Sequence, residues 1–233
     1  MPALPDLPQT EAAIVALTNA FRQEQRLAPV TPSKELAAAA KWFAGYLAKS
    51  GKFAHEADGR EPHQRAAAHG YKYCMVAENL ALNLDSRGFT SAGLAGQVVA
   101  GWKASPAHRR NLAEPMATEI GVGIARAPNK DQKFVTVQLF GRPESMKIKF
   151  RIENHAAVAV AYTVAGESQT IEPRTIVTQE TCAADQISFD RAGSWLTGVL
   201  LGARFELKNG VQFALWPQER GSVRIDVEQA ATR

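Results

Sequence analysis

Ile120-Gly121-Val122-Gly123-Ile124 and, past Pro128-Asn129-Lys130-Asp131, Val135-Thr136-Val137-Gln138-Leu139 read as two strands joined by a turn. Apolar residues at every second position set one side of each strand against a core. Upstream the period is that of a helix. Ile14, Leu17 and Phe21 share one face of a segment that Thr10 can cap. Leu36, Ala40, Phe43 and Leu47 share a face of a second, opened by Thr31-Pro32 and stopped by Ser50-Gly51. Leu94, Val98 and Trp102 stripe a third behind Thr90 or Ser91, and Pro106 ends it. Between the second and third lie a turn-rich stretch from Phe53 to Arg60 and a short helix over residues 62–69. Helices followed by an antiparallel hairpin predict an α+β domain in which helices cover a sheet.

Downstream of the hairpin the pattern is all strand. Gly141-Arg142-Pro143 marks the expected boundary, dividing residues 1–143 from 144–233. Met146, Ile148, Phe150 and Ile152 alternate with Lys147, Lys149 and Arg151, as in a strand with one wet face. Further strands are expected over residues 158–164, 175–181, 186–189, 195–201, 205–207, 212–216 and 223–227. Asn209-Gly210 between two of them is a two-residue hairpin signal. Short strands at this spacing predict a small, all-β, sandwich-like domain.

The chain has 233 residues and a net charge of +4. That small excess, with no Lys/Arg cluster on one face, argues against a nucleic-acid partner. No apolar run approaches the roughly 18 residues of a membrane span. The amino terminus, Met1-Pro-Ala-Leu-Pro-Asp-Leu-Pro, lacks the basic and apolar regions of a signal peptide, so Met1 is expected to stand where an export signal was removed. Cys74 and Cys182 either form one disulfide tying the two halves together or remain two buried thiols. Nothing in the sequence sets an oligomeric state.

Glu78 is the residue that packing does not explain. It sits in the apolar run Val76-Ala77-Glu78-Asn79-Leu80, while His108 follows a helix end in Ser105-Pro106-Ala107-His108. His55 precedes both in a glycine-containing turn. Two imidazoles and a carboxylate suit zinc or another divalent ion with an open position for water, although no cofactor is required. The alternative is a buried hydrogen-bonded network that orients helices around the sheet. Ser105 with His108 resembles a nucleophile and its base, but Ser-Pro at a helix end is an ordinary stop, and no Gly-x-Ser-x-Gly elbow is present. Asn79 is read as a backbone partner, Trp102 as a core anchor, and Arg109-Arg110 as a solvated face. His63, His69 and His155 are given no role.

Seven ordered blocks carry a family resemblance: Asn19-x-x-Arg22, Phe53-x-His55, Gly70-Tyr71, Ala77-Glu78-Asn79-Leu80, Trp102-x-x-Ser105-Pro106-x-His108-Arg109-x-Asn111, Ile120-Gly121-Val122-Gly123 and Gln138-x-Phe140. Together they resemble the bacterial branch of the CAP superfamily, the SCP-like extracellular domain of cysteine-rich secretory proteins, antigen five and pathogenesis-related proteins. The likeness spans about residues 9–143. It implies an α-β-α sandwich whose cavity holds two histidines and two acids. Matching motifs make His55 and His108 the histidines and Glu78 one acid. Ser105 stands where eukaryotic members place the second acid, so the tetrad is incomplete.

The resemblance implies a secreted or periplasmic protein that binds a lipid or cell-envelope ligand in a cleft lined by His55, Glu78, Ser105 and His108. The competing reading is a metal-dependent peptidase or esterase, with the ion on His55 and His108 and Glu78 as third ligand or general base. A third is an adhesion protein with a vestigial site.

Overall fold

The computed structural model describes residues 4–128, 132–182, 186–191, 203–219 and 222–229. They form two compact units, Met1–Ser145 and Met146–Arg233.

The first unit is built on a four-stranded sheet. Its strands are β1 (Thr31–Pro32), β2 (Tyr73–Asp85), β3 (Glu119–Arg126) and β4 (Gln132–Pro143), in the order β1-β3-β4-β2. The β3–β4 hairpin is the one read from the sequence, although only Pro128 of its turn lies among the described residues. The Glu78 run is a long strand, β2, paired antiparallel with β4 from Asp85↔Gln132 to Tyr73↔Pro143. Gly141-Arg142-Pro143 is therefore part of a ladder: Gly141 faces Val76 on one side and Glu119 on the other.

Five helices cover both faces of this sheet. They are α1 (Leu7–Glu24), α2 (Lys34–Ser50), α3 (Pro62–Ala68), α4 (Ser91–Ala104) and α5 (Pro106–Leu112). The alternation along β4 separates two cores. Phe134 and Phe140 join Ile14, Phe21, Leu94, Val98, Trp102 and Leu112 from α1, α4 and α5. Val135, Val137 and Leu139 join Leu36, Ala40, Phe43, Leu47 and Ala66 from α2 and α3. A sheet covered on both sides is the expected α-β-α sandwich. On β3 the residues turned toward α2 are Gly121 and Gly123, and a Cβ at either would lie 2.2 Å from α2 backbone atoms. The alanines of α2 and the glycines of β3 thus let helix and strand approach at backbone distance.

Three local readings change. Helix α1 starts at Leu7, because Asp6 is its cap and its Oδ1 accepts from Gln9 N at 2.8 Å. Thr10 is buried inside the first turn, where its hydroxyl donates to the Asp6 carbonyl at 2.6 Å. The buried stripe then runs through Thr10, Ile14, Thr18, Phe21 and Arg22, which leaves Leu17 39% exposed. Helix α2 is capped by Ser33, because Thr31 and Pro32 pair in parallel with Glu119 and Ile120 at the sheet edge, where a proline is tolerated. Gly51 ends α2 in the left-handed conformation as expected. Pro106 ends α4 and also opens α5, so Ser105 caps both helices and His108 lies within a helix.

Among the described residues the second unit forms two further four-stranded sheets. One is β5 (Ile148–Asn154), β8 (Ile176–Thr181), β11 (Val211–Pro217) and β12 (Val223–Gln229), in the order β12-β11-β5-β8. The other is β6 (Val160–Val164), β7 (Glu167–Ile171), β9 (Gln186–Arg191) and β10 (Ala203–Glu206), in the order β10-β9-β6-β7. Phe150, Ile152, Phe213 and Leu215 of the first pack with Val160, Tyr162, Ile171 and Ile187 of the second, which is the predicted sandwich. The Asn209-Gly210 turn does not close a hairpin: β10 and β11 belong to different sheets. Instead Asn209 Oδ1 accepts from Lys149 N, and Gly210 N donates to Lys149 O, which ties the turn to β5. Strand β7 was not expected, and the strand expected over residues 195–201 lies outside the described residues. Neither cysteine is a free thiol; Cys74 and Cys182 are both disulfide-bonded.

Candidate functional site

Glu78 and Asn79 are successive residues of β2, an edge strand, and both are buried. Their side chains point to opposite faces of the sheet, and each meets a different polar network.

Glu78 lies on the α2/α3 side. Its Oε1 is 2.7 Å from His55 Nδ1, and its Oε2 accepts from Arg65 Nη2 at 2.8 Å. Arg65 projects from α3 and is fully buried. Its Nη1 donates to Asp58 Oδ1 at 2.9 Å, and its guanidinium lies 3.6 Å over the Phe43 ring. Arg60 Nε sits 3.2 Å from the other Asp58 oxygen as an ion pair, without hydrogen-bond alignment to it. A buried acid needs a cation, and one arginine here serves two carboxylates. His55 is half exposed, so it forms the outer edge of the cluster.

Asn79 lies on the α1/α4/α5 side. Its amide donates to Gln138 Oε1 at 3.0 Å and to the His108 carbonyl at 3.3 Å, and its oxygen accepts from Asn111 Nδ2 at 2.9 Å. Gln138 in turn donates to Thr18 Oγ1 at 2.9 Å. A buried polar chain thus runs from α1 through β4 and β2 to α5, and it holds the helix that carries His108. Asn111 also donates to the Glu78 carbonyl. Trp102 anchors α4 by donating from Nε1 to the Leu80 carbonyl at 2.9 Å. Arg22, fully buried on α1, donates to the carbonyls of Ala28, Leu112, Glu114 and Ala117 and so fixes the chain around α5.

His55 and His108 are near enough to influence each other electrostatically. Burial first, and the neighbouring His55 second, hold the His108 imidazole below its ordinary pKa. A histidine whose folded pKa is lowered binds fewer protons than in the unfolded chain. Stability is therefore lost as pH falls below the unfolded value of about 6.5, and the loss levels off below the folded value. The urea midpoint is expected to drop between about pH 7 and 5, and His108→Gln to shrink that drop. An equal drop in the variant excludes His108 as its source.

The donor set does not fit a three-ligand metal centre. Both Glu78 oxygens are engaged, one by His55 and one by Arg65, so the third ligand of the sequence reading is committed elsewhere. His55 Nδ1 is engaged as well, which leaves Nε2 as the remaining nitrogen of that ring. Among the described residues no three His, Cys, Asp or Glu side chains are grouped to hold a metal ion. Ser105 is half-buried at the α4–α5 junction, and the structure gives it a capping position. Arg109 is exposed and lies 5.5 Å over the Phe21 ring. His69 meets the Arg65 carbonyl at 2.9 Å in a capping contact.

Arg65, Asp58, Gln138 and Thr18 carry much of the cluster, and the sequence reading assigned none of them a part in it. One signal was present. A buried Glu78 requires a counter-charge, and Arg65 is the one arginine or lysine of α3, whose other residues are Pro62, His63, Gln64 and three alanines.

Residues 15–140 match the family model described as "CAP: Cysteine-rich secretory protein family". The uncharacterized protein YkwD of Bacillus subtilis (strain 168) is 30% identical over 118 residues, which is 50% of this chain and 43% of that protein. The chain therefore spans less than half the length of this relative. An outer surface protein from Borrelia burgdorferi is similar in structure, with a TM-score of 0.50 and 21% identity over 58% of this chain and 93% of that one. An extracellular protein containing an SCP domain from Bacillus anthracis str. Ames aligns with a TM-score of 0.48 and 23% identity, over 58% and 41% of the two chains.

Proposed function

The chain belongs to the cysteine-rich secretory protein family (CAP), and on that premise we propose that it is an exported protein that binds a lipid or cell-envelope ligand at the His55–Glu78–His108 cluster. The observation that carries this reading is the state of Glu78. Its two oxygens meet His55 Nδ1 and Arg65 Nη2, so the carboxylate orients His55 and is itself charge-compensated. The cluster offers a ligand two neighbouring imidazole edges, those of half-exposed His55 and partly buried His108, beside a charge-compensated carboxylate. Such edges recognise hydroxyl or amide groups of a ligand and set its orientation. Disulfide-bonded cysteines suit an oxidising compartment outside the cytosol. Among the described residues no helix is long and apolar enough to cross a membrane.

The test is cosedimentation of the full chain with two probes: vesicles of phosphatidylethanolamine and phosphatidylglycerol, and isolated peptidoglycan. At least one is expected to retain the protein, with affinity reduced about tenfold in His55→Ala and in His108→Ala, a loss of about 1.4 kcal/mol. Retention by neither probe, or equal retention of both variants and the wild type, overturns the proposal.

A further inference from the structure

The outer face of the β12-β11-β5-β8 sheet carries a second group of polar and aromatic side chains, far in sequence from the cluster above. Strand β11 turns Val211, Phe213 and Leu215 into the sandwich core, which places Gln212, Ala214 and Trp216 on the opposite face. The registers set Ala214 between Glu153 on β5 and Asp226 on β12, and Gln212 between Arg151 and Glu228. Because Ala214 is the smallest residue of that row, its position forms the floor of a hollow of about 150 Å³ lined by Glu153, His155, Gln212, Trp216 and Glu228.

The walls of the hollow are held in place. His155 stacks on Trp216 with ring centroids 4.0 Å apart and planes inclined by 11°. His155 is itself fixed by its backbone N–H, which donates to the Leu215 carbonyl, and by Nε2 at 3.3 Å from Glu153 Oε2. The other Glu153 oxygen pairs with Arg151 Nε at 2.7 Å. The indole is thereby locked in one orientation, yet Trp216 keeps 39% of its surface exposed.

We infer that this hollow is a carbohydrate-binding site that takes one pyranose ring of a neutral or amino-sugar polysaccharide. A sugar ring has an apolar C–H face, which an indole accepts, and a rim of hydroxyls that both donate and accept. Glu228 accepts from hydroxyls, Gln212 both donates and accepts, and Glu153 holds His155 against the indole. The volume lies below the roughly 300 Å³ at which pockets begin to enclose drug-sized ligands, so one ring of a longer chain is seated while its neighbours stay in solvent. The carboxylates of Glu153 and Glu228 disfavour phosphate, sulfate and uronate groups, which excludes strongly anionic polymers. A quaternary ammonium ligand would need several aromatic walls, and the hollow supplies one indole with its histidine. The site is independent of the reading of the first unit.

Affinity electrophoresis of the full chain tests this, with hydroxyethyl cellulose as the neutral probe and glycol chitin as the amino-sugar probe. The wild type is expected to be retarded in at least one gel. Trp216→Ala is expected to raise the apparent Kd at least about tenfold, and Trp216→Tyr to keep most of the retardation. Ala214→Gln, which fills the hollow from an outward position without touching the core, is expected to abolish retardation with an unchanged urea midpoint. Trp42→Ala, an exposed tryptophan of the first unit, is expected to migrate as the wild type does. No retardation in either gel overturns the inference. So does retardation that survives both Trp216→Ala and Ala214→Gln, or that Trp42→Ala abolishes.

Discussion

Arg65→Ala is expected to be the most destabilising single substitution in the cluster, costing about 3–5 kcal/mol. The side chain is fully buried, and its two terminal nitrogens each hold a different buried carboxylate, Nη1 on Asp58 and Nη2 on Glu78. Truncation leaves Glu78 with His55 alone and Asp58 with Arg60 alone, and it strips the fully buried cation from between the two side chains. It also removes the guanidinium from the Phe43 ring, opening a cavity beside α2. Arg65→Lys is expected to recover only part of the loss, because an ammonium on a flexible stem does not present two nitrogens in a fixed fork. Urea unfolding measures both. If Arg65→Ala lowers stability by less than about 1 kcal/mol, the ion pairs are not the base on which His55 rests.

Helix α2 owes its position to two residues with no side chain, and Gly123→Ala is expected to displace it. A Cβ at residue 123 would lie 2.2 Å from Lys41 N, 2.4 Å from Ala40 C and 2.5 Å from Lys41 Cα. All three are backbone atoms and cannot swing aside. Either α2 moves off the sheet or β3 buckles, and the expected cost is about 3 kcal/mol or more, at the upper end for overpacked sites. Gly45→Ala supplies the contrast. It lies within α2, where an added methyl meets nothing within 4 Å, so alanine there should stabilise the helix by up to about 1 kcal/mol. Equal urea midpoints for Gly123→Ala and the wild type would show that α2 does not sit at backbone distance from β3.

Much of the first unit was legible in the sequence because its signals are local. The 3.6-residue stripes of α2 and α4, the left-handed cap at Gly51 and the alternation of β3 and β4 each depend on neighbours within one element. Where two local signals compete, tertiary contact decides between them. Leu17 has the spacing of a core residue, but α1 is rotated so that Thr18 reaches Gln138, and Leu17 faces water. Thr31-Pro32 has the look of a helix start, but pairing with β3 draws it into the sheet and passes the cap to Ser33. Asn209-Gly210 has the chemistry of a hairpin, but its flanking strands belong to different sheets.

The same division holds for the site. The sequence by itself determined the family blocks, the two-unit order of helices then strands, and the singling out of His55, Glu78 and His108. These rest on residue identity and spacing. Only the tertiary structure decided what those residues do to one another. It brought Arg65 under Glu78, set Asn79 in a separate network on the other face of β2, and placed His155 against Trp216 on a second sheet. The physical reason is that a buried charge takes its partner from whichever element packs against it, and that choice is made by chain segments whose separation in sequence carries no signal.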